Sequence, residues 1–156
     1  MQAQEHMQHS MHGGHYGRLA AMAVLSWLAM YILMYAMVDA FENVFANLNQ
    51  FYMAGLMTAP MILIELALMA AMYPNRKLNI AVVAVTLVLA VLFWTGIRQQ
   101  TAISDNEFVR SMIPHHAGAI LMCRKNRLSD PDLRQLCNEI IASQQSEIAR
   151  MKAKLK

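Results

Sequence analysis

The sequence predicts an all-α protein in which three transmembrane helices are followed by an extracytoplasmic two-helix hairpin. Three observations carry that expectation. Hydrophobic residues make up 57% of the 156 residues and charged residues 15%. Three apolar runs each have the about 20 helical residues that crossing a bilayer requires. The last third of the chain then turns polar and shows helix start and stop signals.

The runs Leu19 to Val38, Phe51 to Tyr73 and Leu78 to Ile97 are the expected spans. The first begins late and lacks a small-residue cleavage site, so no cleaved signal peptide is expected. Flanking charge sets the orientation. Arg18 precedes span one and Arg76 with Lys77 fill the second turn, whereas the first connection, DAFENVFANLNQ, carries Asp39 and Glu42 and no base. Positive charge stays on the cytoplasmic side, so the N-terminus is expected in the cytoplasm, the spans in the inner membrane and residues 99–156 in the periplasm or outside the cell. Arg98, past the third span, is a mild dissent. The net charge of +3 is small and spread along the chain, which gives no case for nucleic acid.

Residues 1–17, MQAQEHMQHSMHGGHYG, are polar and without apolar periodicity and read as a disordered tail ahead of a transmembrane region at 18–98. His6, His9, His12 and His15 recur every three residues with Met7 and Met11 among them. A flexible tract of imidazoles and thioethers suits a weak, exchangeable copper site. The bland alternative is a tail whose histidines bind nothing.

Span two holds Met53, Met57, Met61, Glu65 and Met69 in an unbroken series of fours, one slowly drifting helical stripe. A carboxylate at such depth costs about 2.5–3.5 kcal/mol on insertion scales, so it must face a partner, a cavity or an ion, or stay protonated. Met57, Met61, Glu65 and Met69 are therefore a candidate intramembrane site; the competing account is that methionine fills irregular helix contacts. Pro60 is expected to kink this span. Span three, rich in Val and Leu with Trp94 near its outer end, reads as an anchor.

Beyond Ile97 two helices are expected with a turn near Lys125 to Asp130. Ser129 or Asp130 caps the second and Pro131 sits at its first position. The first begins near Ser104 or Asp105, and Pro114 inside it is expected to kink or split it. One face of this helix carries Met112, His115, His116, Met122 and Cys123 together. The apolar seam of the second contains two polar residues, Gln144 and Glu147, for which the histidines opposite are natural partners.

The stretch Asp105-x-x-Phe108-x-x-x-Met112-Ile113-Pro114-His115-His116-Ala117-Gly118-Ala119-Ile120-x-Met122, followed by Ile141-x-x-Gln144-x-x-Glu147-Ile148-x-x-Met151, resembles the domain-of-unknown-function family 305. The resemblance covers about the last 50 residues. It implies a ferritin-like helical bundle, exported or membrane-attached, with copper as cofactor. By position the implied ligands are Met112, His115, His116, Met122, Glu147 and Met151, with Gln144 beside them. The family pattern is often a tandem of two hairpins and this chain carries one. A homodimer completing a four-helix bundle, or packing of the hairpin against the connection Asp39 to Gln50, would bury the rest of its core. Cys123 and Cys137 fall on inward faces about one turn before and two turns after the connection, so they are a candidate disulfide, with thiolate copper ligation and free thiols as the alternatives.

The leading expectation is a membrane-anchored copper-binding protein that buffers or delivers copper to other copper-handling proteins. The main alternative is a non-catalytic structural or assembly subunit of a membrane complex. A copper transporter rests on the span-two ladder alone. A metalloenzyme is not expected, because the hairpin lacks paired Glu-x-x-His motifs and Glu147 is its only well-placed carboxylate.

Overall fold

The computed structural model describes the backbone of residues 2–155 and the side chains of residues 14–155. Its helices are α1 (Gln2–Leu33), α2 (Leu48–Leu68), α3 (Arg76–Gln99), α4 (Asp105–Lys125) and α5 (Pro131–Lys154), with short 3-10 turns at Met34–Met37, Phe41–Asn43 and Ala70–Met72. No strand occurs among the described residues. The chain divides into two compact units, one of Met1–Tyr31 with Tyr52–Thr101 and one of Ile32–Phe51 with Ala102–Lys156.

The first unit holds the apolar helices. Three stretches, Gly14–Met37, Leu48–Leu68 and Arg76–Gln99, are long and apolar enough to cross a membrane. Their boundaries differ from the sequence expectation. Helix α1 is assigned from Gln2, so helical backbone runs through the segment expected as a disordered tail, and α2 stops at Leu68, which leaves Met69 outside it. Pro60 lies inside α2 without ending it. Asn75 caps α3 by accepting from the Leu78 N–H, and Gln100 closes it in the left-handed region with φ 50°. The ring of Phe93 lies against Gly55, where a methyl group would overlap it. Leu19, Leu66 and Tyr73 form a small buried cluster. Beside it the Tyr16 hydroxyl donates to Asn79 Oδ1 at 2.7 Å, and Asn79 Nδ2 donates to the Tyr73 carbonyl at 2.7 Å.

The second unit is built on α4 and α5, which pack antiparallel across residues 126–130. Each start is chemically specified. The Ser104 hydroxyl accepts from the Glu107 N–H, and Asp130 Oδ1 accepts from the Asp132 and Leu133 N–H groups with Pro131 following. Acids fill both first turns and bases both last turns, as the helix dipoles favour. Pro114 stays inside an unbroken α4, so the expected split does not occur; the loss of one hydrogen bond is tolerated where the helix is packed. Ile113, Ala117, Ile120 and Ile148 are the buried core. Cys123 and Cys137 are joined as a disulfide, their Cα atoms 5.2 Å apart.

The connection between α1 and α2 is part of this unit. Val38 and Phe45 pack on the same core, and Gly118 of α4 lies beside the Met37 backbone. Asp39, itself held by Asn43 Nδ2 at 2.7 Å, pairs with Arg124 at 3.3 Å. The Glu107 carboxylate accepts the Leu48 N–H at 3.0 Å, and Asn49 donates to Ser111. Of the two ways expected for burying the core, packing against the connection is therefore built into the chain itself.

A cross-link across a loop of this size stabilises by about 3 kcal/mol through loop entropy. The double substitution Cys123→Ala/Cys137→Ala is accordingly expected to lower the thermal midpoint of the second unit while preserving its helix content. Circular dichroism melts of the two proteins check both halves of that statement.

Candidate metal-binding pocket

Helical spacing gathers the polar residues of the second unit. Met112 and His116 are one turn apart on α4, and Glu147 and Met151 one turn apart on α5. Because Ile113, Ala117 and Ile120 hold α4 against Ile148, these two pairs meet around one cavity of about 430 Å³. Phe108 and Val109 supply its apolar wall, and Arg150 and Lys154 line it on the α5 side.

His116 is the inward residue of the pair: its side chain is 12% exposed, against 41% for Glu147. Its Nδ1 lies 3.1 Å from Glu147 Oε2. The approach is out of line, because the same Nδ1 is buried without a hydrogen-bond partner. The other carboxylate oxygen, Oε1, accepts from the Ser143 hydroxyl at 2.8 Å, which fixes the orientation of Glu147. Burial pushes the His116 pKa below the usual 6.5; Glu147 opposes the shift and His115 adds to it. The favoured state is a neutral imidazole with a free nitrogen lone pair, the state a metal ion requires.

The sequence-derived ligand set divides here. Met112, His116, Glu147 and Met151 share the cavity. His115 is exposed, its ring centre 6.2 Å from that of His116, and Met122 is 54% exposed; neither lines the cavity. Gln144 is half-buried and also off the cavity wall. Cys123 and Cys137 are consumed by their disulfide and offer no thiolate. Ser143 was not anticipated, although its four-residue spacing from Glu147 is the legible signal for such a contact. Among the described residues no three His, Cys, Asp or Glu side chains converge as a metal cluster. An ion in this cavity would therefore need the thioethers as well as His116 and Glu147.

The other candidate sites are less assembled. The side chains of His6, Met7, His9, Met11 and His12 lie outside the described residues, while His15 is half-buried with Nδ1 unpartnered. In α2, Met53 and Met57 are exposed and Met61 is half-buried, and Met69, one residue past the helix end, still donates its N–H to the Glu65 carbonyl. Glu65 accepts a hydrogen bond from the Tyr73 hydroxyl at 3.4 Å.

Residues 95–155 match the domain of unknown function designated DUF305. The chain is also 34% identical over 133 residues to "Uncharacterized protein L153" of Acanthamoeba polyphaga mimivirus, an alignment covering 83% of this chain and 86% of that protein. The chain belongs to the DUF305 family. The alignment to the mimivirus protein is much longer than the DUF305 match, so it takes in part of the apolar-helix region as well. No solved structure matches. The whole cavity lies inside the DUF305 segment.

The His116 shift has a defined sign. The unfolded chain takes up a proton near pH 6.5 that the folded chain refuses until a lower pH. The stability contributed by the neutral ring is present above 6.5 and is lost as pH falls through the folded pKa. A nuclear magnetic resonance titration is expected to place His116 below 6.5, lower still in Glu147→Gln and higher in His115→Ala.

Proposed function

We propose that this DUF305 protein is a membrane-anchored copper-binding protein that buffers or delivers copper. The observation that carries the reading is the cavity in which two thioethers, one neutral imidazole and one carboxylate meet. Soft thioether and imidazole donors favour copper over magnesium, calcium or manganese, and a cavity reached from solvent allows an ion to exchange. The three apolar helices are the anchor. Their flanking charges, with Arg18, Arg76 and Lys77 on one side and Asp39 and Glu42 on the other, support an orientation with α4 and α5 outside the cytoplasm. A disulfide between Cys123 and Cys137 suits that compartment. In this reading α4 and α5 form half of a ferritin-like bundle, and the His6 to His15 tract is a second, weaker copper site.

One observation favours a structural subunit instead. Glu147 already faces His116, so the pair can be read as a polar contact between the helices that only fixes their register. The two readings part on metal content. Copper and iron would be measured on detergent-purified protein with His6, His9, His12 and His15 replaced by alanine to silence the tail. Titrations under reducing and oxidising conditions would follow.

The copper reading expects stoichiometric copper that is lost in His116→Ala. It also expects Cu(I) affinity weakened by about tenfold or more in Met112→Leu/Met151→Leu, where side-chain volume is kept. Equal copper in all three proteins, or none, returns the structural subunit. Glu65→Gln is expected to leave external copper binding unchanged, since Glu65 is bonded to Tyr73 rather than placed among free donors. Loss of copper flux into vesicles in that variant would revive the transporter.

A further inference from the structure

Between α1 and α3 the first unit carries an open groove of about 370 Å³. Tyr16, Ala20 and Ala23 on α1 line it with Leu78, Ala81 and Val85 on α3, and three alanines among the six leave the space that larger side chains would fill. A second hollow of about 230 Å³ shares Ala23, Ile62, Thr86 and Leu89 with the first and continues it to Phe93. From Leu78 to Leu89 the groove runs about 17 Å along α3 at 1.5 Å per residue, close to half of the about 30 Å hydrocarbon thickness. Even with the second hollow, at about 22 Å, it stops short of the full thickness a transmembrane helix would need. Its depth suits a molecule that enters from one leaflet.

The two ends of the groove differ in chemistry. Beyond Tyr16 its lining is apolar except for Thr86. At the Leu78 end the Tyr16 hydroxyl donates to Asn79, Asn75 caps α3, and Arg76 and Lys77 are the first residues of that helix. Arg18 lies two residues past Tyr16 on α1. All three bases are exposed, and none has an ion-pair partner among the described residues. The acid at this end, Glu65, accepts from the Tyr73 hydroxyl and leaves the bases in excess. An uncharged slot of one leaflet's depth with cations at its mouth has the polarity of a phospholipid, an apolar tail under an anionic phosphate. Flanking bases mark the cytoplasmic side, where the leaflet carries anionic lipid.

We propose that the groove holds one tail of an anionic phospholipid of the cytoplasmic leaflet, with Arg76 and Lys77 on its phosphate and the tail running past Ala81 and Val85 toward Trp27. The lipid site rests on the membrane-anchored reading and is independent of copper.

The test uses full-length Trp94→Phe protein, which keeps Trp27 as its single tryptophan, reconstituted in vesicles whose lipid tails carry bromine. Bromine quenches Trp27 only where a tail lies against it. Phosphatidylglycerol is expected to bind beside Trp27 about fivefold or more tightly than phosphatidylcholine. Arg76→Gln/Lys77→Gln, with helix content unchanged, is expected to cut that preference to about twofold or less. Ala81→Phe, which fills the groove and keeps every cation, is expected to cut it as far. Equal quenching by the two lipids overturns the site. So does a preference that survives the loss of both bases, and so does one that survives Ala81→Phe, the mark of general attraction to a basic surface. A Trp27 that neither lipid quenches also overturns it and puts a protein helix in the groove. Flotation separates this reading from the one beneath it: protein that stays out of the vesicles overturns the anchoring and the lipid site together, whereas vesicle-bound protein without the preference overturns the lipid site alone.

Discussion

Everything in the second unit depends on the apolar seam between α4 and α5. Ile113, Ala117 and Ile120 on one helix and Ile148 on the other are its buried apolar residues. The contact fixes the rotation of each helix about its axis. Once rotation is fixed, the next positions around each helix have no freedom: Met112 and His116 must face Glu147 and Met151. The disulfide fixes the axial register at one end, with Cys123 opposite Cys137, and leaves the cavity end to the packing alone. Site geometry is thus a consequence of core packing, and substitutions at Ile113 or Ile120 would disturb the cavity without touching a donor.

The connection between α1 and α2 performs a related task with polar chemistry. A pair of helices cannot bury four sides at once, and here one side is closed by a segment that brings only two sizeable apolar groups, Val38 and Phe45. The rest is held by specific contacts: Asp39 with Arg124, Asn49 with Ser111, and Glu107 accepting the Leu48 N–H. That last contact satisfies a first-turn N–H of α2 with a carboxylate from α4, a cap supplied from a distant part of the chain. Ion pairs at exposed groups contribute little individually. Their value here is register, because each names one partner for one residue of the connection.

Much of this was legible in the sequence where the signal is local. Apolar runs, the Asp130-Pro131 start and the inward faces of α4 and α5 each declare themselves within a few turns. The cavity was legible in part, since Met112, His116, Glu147 and Met151 lie on the inward arcs. His115 and Met122 were grouped with them because a helical projection ignores height and tolerates a wide arc; their side chains point past the edge of the partner helix into solvent. The packing of the connection was beyond such reading. Its role depends on Glu107 and Ser111 reaching residues about sixty positions away, and no periodicity encodes that. Of the kink or split expected at Pro114, the split is absent, because burial of Ile113 and Ala117 holds the helix in place through the proline.

Glu65 and His116 are both partly buried, and their surroundings differ. Glu65 accepts a hydrogen bond from Tyr73, a neutral donor eight residues away, and that satisfies it. His116 keeps a buried Nδ1 that no donor or acceptor meets in line, even with a carboxylate oxygen 3.1 Å away. Buried polar atoms are nearly always paired, because an unpaired one costs about 1–3 kcal/mol. His15 Nδ1 and Asn43 Oδ1 are also unpaired, but neither lies among the residues that line the cavity. Among the described residues, an unpaired buried nitrogen coincides with a cavity and two thioethers only at His116. That unpaired nitrogen beside soft donors distinguishes the cavity from the methionine stripe of α2.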